Sequence, residues 1–210
     1  MVKKATNKRK PRKSSLKTLN KKSGKEFEMS IKKLARKHHF KAVSNCYIGF
    51  KTKGNKQRYI EVDVVLISAN AVIIVEAKNY SALIKDSLKN IYLKAEYENG
   101  RWFTLYNPVF QNKGHVKHIS EFINIPPEKL VSLILFSDSS ILELQDYDVL
   151  DENEFILKFE DLGSFLDSFK ESPKILSDAK VKSKYNQLVK RSKVSATVRK
   201  RHLKYVSTKK

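Results

Sequence analysis

Charged residues at fixed spacing stand in the most β-rich part of the sequence, the stretch YIEVDVVLISANAVIIVEAKNY from Tyr59 to Tyr80. Its pattern predicts two apolar strands joined by a short turn, with Asp63 in the first strand and Glu76 and Lys78 in the second. Burying a charged side chain costs free energy unless the charge is paired or coordinates a metal ion. Two carboxylates and a lysine at this spacing could form a metal-dependent site for phosphodiester chemistry.

The spacing also predicts how the two carboxylates face each other. If Ala69 and Asn70 form the turn, the numbers of facing residues sum to 139, so Asp63 lies opposite Glu76 with Cβ atoms about 5 Å apart. A four-residue turn, 68–71, gives the same register. Like charges at facing positions destabilise a hairpin unless a cation lies between them. Carboxylate oxygens suit Mg²⁺ or Mn²⁺, so the pair predicts a site for one of these ions.

Lys78 is two residues beyond Glu76, which places both side chains on one face of the strand. Its ammonium group could hold or help deprotonate an attacking water and offset charge that grows on a phosphate. The alternative is a solvated hairpin face with cross-strand ion pairs such as Glu61 with Lys78. The apolar run at residues 71–75 argues against this alternative, because hydrophobic residues on both faces are typical of a covered strand.

The elements around the hairpin follow from periodicity and capping signals. Ser23 is a candidate N-cap of a helix that ends near His38, and Glu28 lies beside its apolar stripe. Pro108 is placed as the first residue of a second helix, which carries Gln111, His115 and His118 on one face. Further strands are predicted at 42–50, 91–97, 101–106, 130–136 and 155–159, and further helices at 161–170 and from 177 onwards.

Length and cysteine content indicate one intracellular domain. A chain of 210 residues can bury a real core and carry tails, and the single cysteine, Cys46, leaves no intramolecular disulfide. There is no apolar run of signal-peptide or membrane-spanning length, so we expect a cytoplasmic protein without membrane association. The predicted organisation is a disordered basic tail at 1–22, one domain at 23–178 and a basic helix or tail at 179–210.

The net charge of +21 comes from the two ends of the chain. Of the 43 Lys and Arg residues, 11 lie in residues 1–25 and 12 in residues 180–210, and neither segment has an acidic residue. The remaining 20 accompany all 22 acidic residues in 26–179. Such ends favour binding to nucleic acid, with acidic lipid or simple solubility as alternatives. The candidate nucleic-acid contacts are Lys8, Arg9, Lys10, Arg12, Lys13, Lys190, Arg191, Arg199, Lys200 and Arg201.

Four motifs in order resemble a known family. Asp63, followed after twelve residues by Glu76-Ala77-Lys78, resembles the D-x(n)-E-x-K signature of the PD-(D/E)XK nuclease superfamily. Around it, residues 23–137 resemble the nuclease-related domain, NERD. The supporting motifs are Gly24-Lys25-Glu26-Phe27-Glu28, Val62-Asp63-Val64-Val65-Leu66-Ile67, Val75-Glu76-Ala77-Lys78-Asn79-Tyr80 and Asn107-Pro108-Val109-Phe110-Gln111. Val62 replaces the usual proline and Ala77 the commoner valine, but neither side chain is expected to reach a metal.

The resemblance implies an α/β fold with a restriction-endonuclease-like core, a mixed β-sheet flanked by helices. It implies Asp63 and Glu76 as ligands of Mg²⁺ (or Mn²⁺), Lys78 at the attacking water, Glu28 as support for the metal or its water, and Gln111 as a contact to metal-bound water or a phosphate. The residues alone favour an ordinary helix-surface acid for Glu28 and a polar residue of a first helical turn for Gln111, and it is the resemblance that favours the site roles.

The histidines and aromatics each have a second interpretation. His115 and His118 are interpreted as packing or backbone-contact residues, with DNA contact or a general base as the alternative. The absence of a third His or Cys nearby argues against a zinc site. Tyr80, Trp102 and Tyr106 are typical of core or sheet-edge aromatics, with base stacking as the alternative.

The function that the sequence predicts is a metal-dependent DNA nuclease. The alternatives are a DNA- or RNA-binding protein with little or no turnover on a nuclease fold, and an RNA- or ribosome-associated protein. The sequence leaves homodimerisation open, and it does not distinguish endonuclease from exonuclease cleavage.

Overall fold

The computed structural model describes residues 13–207, with side chains from residue 23 onwards. These residues form five helices and nine strands. The helices are α1 (Lys13–Lys37), α2 (Pro108–Ile123), α3 (Leu162–Asp167), α4 (Asp178–Ser192) and α5 (Ala196–Ser207). The strands are β1 (Lys41–Lys51), β2 (Gln57–Ile67), β3 (Val72–Lys78), β4 (Leu83–Ser87), β5 (Tyr92–Glu96), β6 (Trp102–Tyr106), β7 (Val131–Phe136), β8 (Ile141–Gln145) and β9 (Glu154–Lys158).

The strands form two mixed sheets. The larger sheet has the order β1-β2-β3-β7-β9, with antiparallel pairing from β1 to β3 and parallel pairing from β3 to β9. The smaller sheet has the order β6-β5-β4-β8, in which only β4 and β8 are parallel. The predicted α/β class, with a mixed sheet flanked by helices, is confirmed. The second sheet is not predicted, because β4 and β8 are five-residue strands that the sequence analysis does not identify.

Helices cover both faces of the larger sheet. On one face, α2 and α4 bury residues such as Ile119 and Leu188 against β1–β3. On the other face, α1 and α3 bury residues such as Ile31 and Leu162 against the same strands and β7. The smaller sheet packs against β7 and α2 through a third cluster that includes Phe136. Because β7 is covered on both faces, its sequence is almost continuously apolar.

Helix α1 begins at Lys13, ten residues before the predicted start at Ser23. This segment contains neither glycine nor proline, and lengthening an existing helix gains one hydrogen bond per residue without a new nucleation step. Ser23 is therefore not an N-cap. Its carbonyl and hydroxyl oxygens instead accept hydrogen bonds from Asn79 Nδ2, at 3.1 and 2.8 Å, which connects α1 to the end of β3.

The C-terminal part of the chain is more ordered than the sequence predicts. Helix α4 begins where expected, with Ser177 as N-cap. The chain does not then fade into a tail, because a break at 193–195 leads into α5, which packs against β2. Among the described residues, no helix combines the length and the apolar content needed to cross a membrane.

Candidate active site

The candidate site lies where β2 and β3 separate. Their ladder has the predicted register, from Ile67 opposite Val72 to Val64 opposite Val75, and it ends there. From that point β2 continues with β1 alone, while β3 continues in parallel with β7 as far as Lys78. The predicted facing pair of Asp63 and Glu76 therefore falls one position beyond the ladder, where the two strands diverge, and we call the region between the diverging strands the cleft.

Asp63 marks the point of separation. Its Oδ2 accepts a hydrogen bond of 2.9 Å from the N–H of Ala77, so a side chain satisfies a donor that pairing with β2 would otherwise use. On the neighbouring strand Asn45 adopts a left-handed conformation with φ of 56°, which asparagine tolerates better than most residues. Asn45 Nδ2 donates to Glu28 Oε2 at 2.6 Å, and this contact brings α1 to the cleft.

Glu76 and Lys78 form a buried ion pair. Their exposed fractions are 1% and 8%, and Lys78 Nζ lies 2.6 Å from Glu76 Oε1. The same ammonium donates to Gln111 Oε1, at 3.1 Å, from the first turn of α2. This burial excludes the alternative of a solvated hairpin face, and Glu61 does not pair with Lys78. Lys78 is held by two partners at a fixed position in the cleft.

His115 is a site residue whose role the sequence left open. It lies one helical turn beyond Gln111 on α2, and its Nδ1 is 3.2 Å from Glu76 Oε2. Both atoms are buried, and neither has a well-directed hydrogen bond within the described part of the chain. The helical spacing from Gln111 to His115 is the sequence signal that connects His115 to this site.

The two carboxylates have different electrostatic environments. Burial and the charge of Glu76 raise the pKa of Asp63 well above its usual range, against the effects of Lys78 and the Ala77 N–H. Burial also opposes ionisation of Glu76, but Lys78 and His115 outweigh it and lower the pKa of Glu76 to about 2. Burial lowers the pKa of Lys78 and the two carboxylates raise it, with a net rise. Lys78 is thus positively charged, and it stabilises the ionised form of Glu76 more than the ionised form of Asp63.

This donor set fits a small divalent cation. Within the described residues, Oε2 of Glu76 has no well-directed hydrogen bond. A cation nearby would favour the ionised form of Asp63, whose pKa is otherwise raised. Mg²⁺ is commonly bound through one or two carboxylates, with waters and substrate phosphate completing its shell. Among the described residues no three His, Cys, Asp or Glu side chains are grouped as a complete metal site. Asp63 and Glu76 would therefore hold such an ion only together with water or substrate oxygens.

Glu28 approaches the same cleft from α1. Burial raises its pKa from 4.5 to about 7; the hydrogen bond from Asn45 opposes this rise, and the charge of Glu61 adds to it. The folded protein therefore holds the Glu28 proton more tightly than the unfolded chain does. Ionisation of Glu28 therefore lowers the free energy of unfolding, and this loss of stability develops as the pH rises from about 4.5 through about 7.

Replacing Glu28 with glutamine is therefore expected to stabilise the metal-free protein by about 1–2 kcal/mol at about pH 8, after allowance for solvent screening, and to change little at about pH 4. Urea unfolding in EDTA at both pH values measures this. Glu98→Gln, in the exposed β5–β6 turn, is the matched control. An equal effect at both pH values, or a loss at the higher one, would contradict the electrostatic assignment.

The structure thus brings together Asp63, Glu76, Lys78 and Gln111, with Glu28 at the edge of the cleft through Asn45. His118 lies further along α2 and stacks on Phe50 at a ring distance of 4.4 Å, which confirms the packing interpretation for that residue. Trp102 and Tyr106 lie on the edge strand β6 with 61% and 45% exposure, so they are sheet-edge and not core aromatics.

The predicted nucleic-acid contacts divide into three groups. Lys8, Arg9, Lys10 and Arg12 lie outside the described residues, and Lys13 is the first residue of α1. Lys190 and Arg191 are exposed near the end of α4, where the Arg191 guanidinium lies 5.0 Å from the ring centre of Phe122. Arg199, Lys200 and Arg201 are exposed on α5.

Comparison with known proteins identifies the class. The model of the nuclease-related domain family, NERD, matches residues 23–137, which is more than half of the chain. The matched region runs from α1 to β7 and includes every residue of the cleft named above. The protein belongs to the nuclease-related domain family.

Other comparisons add little. None of the curated proteins matches this chain. A solved structure titled "Crystal Structure of Protein of Unknown Function AF1548" is similar over 88% of this chain and 96% of its own, with 11% identity and a TM-score of 0.37.

Proposed function

We propose that the protein is a nuclease that hydrolyses DNA phosphodiester bonds with the help of Mg²⁺ or Mn²⁺. The observation that carries the proposal is the grouping of the half-buried Asp63 with the buried Glu76 and Lys78 in the cleft where β2 and β3 separate. The proposal includes the PD-(D/E)XK character of the larger sheet and its helices. A buried free Cys46 is compatible with the reducing cytoplasm, where we place the protein.

Asp63 and Glu76 are the residues that would hold the cation. When bound, a divalent cation supplies positive charge to the scissile phosphate and acidifies water at the site. Lys78 is the residue that meets the water or the phosphate: its ammonium can orient the water and offset the charge that develops on the phosphate oxygens. Gln111 fixes the direction of Lys78, and His115 lies against the second oxygen of Glu76. Glu28 would support water at the edge of the cleft.

The proposal predicts a strict metal requirement. Purified protein with Mg²⁺ or Mn²⁺ is expected to cut at least one member of a panel of duplex, single-stranded and branched DNA. EDTA should abolish cutting, and added metal should restore it. Gel analysis of end-labelled DNA measures both steps. Cleavage that is unaffected by EDTA would contradict the metal-dependent mechanism, and the absence of cleavage of every DNA in the panel would contradict the proposed activity.

A further inference from the structure

Helix α5 packs on the part of β2 that has separated from β3. Val198, His202 and Tyr205 form its half-buried face, at the i, i+4 and i+7 spacing of one helical stripe. The ring of Tyr205 lies edge-on to Phe50 of β1 at 5.7 Å, and the guanidinium of Arg58 in β2 is 5.6 Å from the Tyr205 ring centre. Helix α5 therefore packs beside the cleft, and we call this helix the wall.

His202 attaches α5 to the strand that carries Asp63. Its Nδ1 is 2.9 Å from the carbonyl oxygen of Tyr59, and because a carbonyl only accepts, Nδ1 carries the proton. Nε2 lies 3.5 Å from Glu61 Oε2, and the other oxygen of Glu61 accepts a 2.6 Å hydrogen bond from the Tyr47 hydroxyl. We call the three side chains Tyr47, Glu61 and His202 the latch.

The latch lies next to the acidic cleft. Glu61 is two residues before Asp63 on β2, and its charge adds to the rise in the pKa of Glu28. Burial and the hydrogen bond to Glu61 raise the pKa of Tyr47, while the positive charge of Arg199 opposes that rise. Arg199 is thus close enough to Tyr47 to act on it electrostatically. The contact of His202 with Glu61, two residues before Asp63, places α5 beside the cleft.

The outward face of α5 is strongly cationic. Arg199, Lys200, Arg201 and Lys204 are all exposed, and the sequence has no acidic residue beyond Asp178. Some exposed lysines elsewhere, such as Lys89, are paired with acids. A helix with four exposed positive charges and no acid complements a polyanion that runs along the mouth of the cleft.

We propose that α5 is a DNA-backbone-binding wall of the cleft, held in place by the latch, so that its position and not only its charge contributes to DNA binding. The inference rests on the proposed function, because it takes DNA as the polymer that occupies the cleft. It differs from non-specific attraction by a flexible tail, since a tail would bind equally well wherever its charges were attached.

The first test compares two variants that each remove two positive charges. Arg199→Ala/Arg201→Ala alters the wall. The control, Lys129→Ala/Lys174→Ala, removes two positive charges at the opposite end of the larger sheet. Lys129 precedes the start of β7. Lys174 adjoins Ile175, whose N–H donates to the carbonyl of Ala69 in the β2–β3 turn. The affinity for a fluorescent DNA duplex is measured in EDTA between about 50 and 200 mM salt. Since nothing is cut in EDTA, the result is independent of nuclease activity.

The wall variant is expected to weaken binding by about tenfold or more and to reduce the slope of log affinity against log salt by about 1–2. The control variant should stay within about threefold of wild type. Equal losses of DNA affinity in the two variants would mean that the position of the removed charges does not matter for binding, and this result would overturn the proposal. A nuclease assay without cleavage would contradict the proposed function but leave a selective effect of the wall on binding intact.

The second test releases α5 without removing a lysine or arginine. His202→Ala is compared with Leu203→Ala, a neighbouring position on the same helix that is 60% exposed. The His202 variant should be cut by trypsin within α5 about tenfold faster than wild type and should bind DNA about fivefold more weakly, whereas the Leu203 variant should change neither. Circular dichroism checks that both variants fold. Faster proteolysis with unchanged DNA affinity would overturn the role of the latch.

Discussion

Replacing Lys78 with methionine is expected to slow DNA cleavage by about a hundredfold to a thousandfold, with DNA affinity within about threefold of wild type. The ammonium lies between Gln111 and Glu76, one of the two predicted metal ligands, at 2.6 Å from Glu76 Oε1. Its removal withdraws charge stabilisation where charge develops on the phosphate, but it leaves the cationic exterior unchanged. Single-turnover cleavage at saturating protein separates this effect from binding.

Lys129→Met is the control for this experiment, because Lys129 is exposed and lies at the opposite end of the sheet from Lys78. It should cleave at the wild-type rate. Circular dichroism must show that Lys78→Met is folded under the assay conditions. A folded Lys78→Met protein that cleaves at the wild-type rate would remove Lys78 from the chemistry and would contradict the proposed site.

Lys78→Met is also expected to lower the free energy of unfolding, by about 3–5 kcal/mol, in the absence of metal. Lys78 is the ammonium that compensates the buried Glu76 and the half-buried Asp63, and its loss leaves Glu76 ionised beside His115. Urea unfolding in EDTA near neutral pH measures the change. The exposed Lys129→Met variant should stay within about 0.5 kcal/mol of wild type.

Asp63→Asn should raise the free energy of unfolding in the absence of metal, which is the opposite of the effect of Lys78→Met. Burial and Glu76 raise the pKa of Asp63, so its ionisation costs stability as the pH rises, and asparagine removes this cost while still accepting from the Ala77 N–H. In the double variant Asp63→Asn/Lys78→Met, the Lys78→Met change should lower the free energy of unfolding by less than it does in the wild-type background. One of the two carboxylates that Lys78 compensates is then already gone. Destabilisation by Asp63→Asn, or strict additivity, would contradict this view of the cleft.

The register of the central hairpin could be predicted because a short turn leaves few choices. Four residues connect Ile67 to Val72, and a two-residue or a four-residue turn within them gives the same pairing. The N-terminus of α2 could be predicted for a similar reason, since Asn107 and Pro108 supply a cap and a fixed φ at adjacent positions. Local chemistry therefore specified both elements that carry Glu76, Lys78 and Gln111.

The separation of β2 from β3 could not be predicted from the hairpin sequence. It depends on Asp63 bonding to the Ala77 N–H and on the left-handed Asn45 of β1, two features that appear only when three strands are assembled. The contact of His115 with Glu76 likewise requires the position of α2 over the sheet. Burial of Glu76 and Lys78 is a property of this packing and decides between a solvated surface and a candidate catalytic cleft.

The position of α5 was missed because its sequence, ATVRKRHLKYVS, is dominated by basic residues. Its apolar stripe consists of Val198, His202 and Tyr205, and two of these three have polar groups whose partners, Tyr59 and Glu61, lie far away in sequence. Charge alone predicts affinity for a polyanion. The long-range partners determine where that charge is held.

Comparison of wild type with Glu76→Gln in one cleavage assay tests the central claim most directly. Glutamine keeps the shape of the side chain but removes the ionised group that pairs with Lys78. On a panel of labelled DNA structures with Mg²⁺ or Mn²⁺, the wild type should cut, and Glu76→Gln should bind the same DNA but cut at least about a hundredfold more slowly. If the two proteins cut at equal rates, or if wild type binds the DNA and cuts none of it, the pair of Asp63 and Glu76 is not a metal-dependent nuclease site.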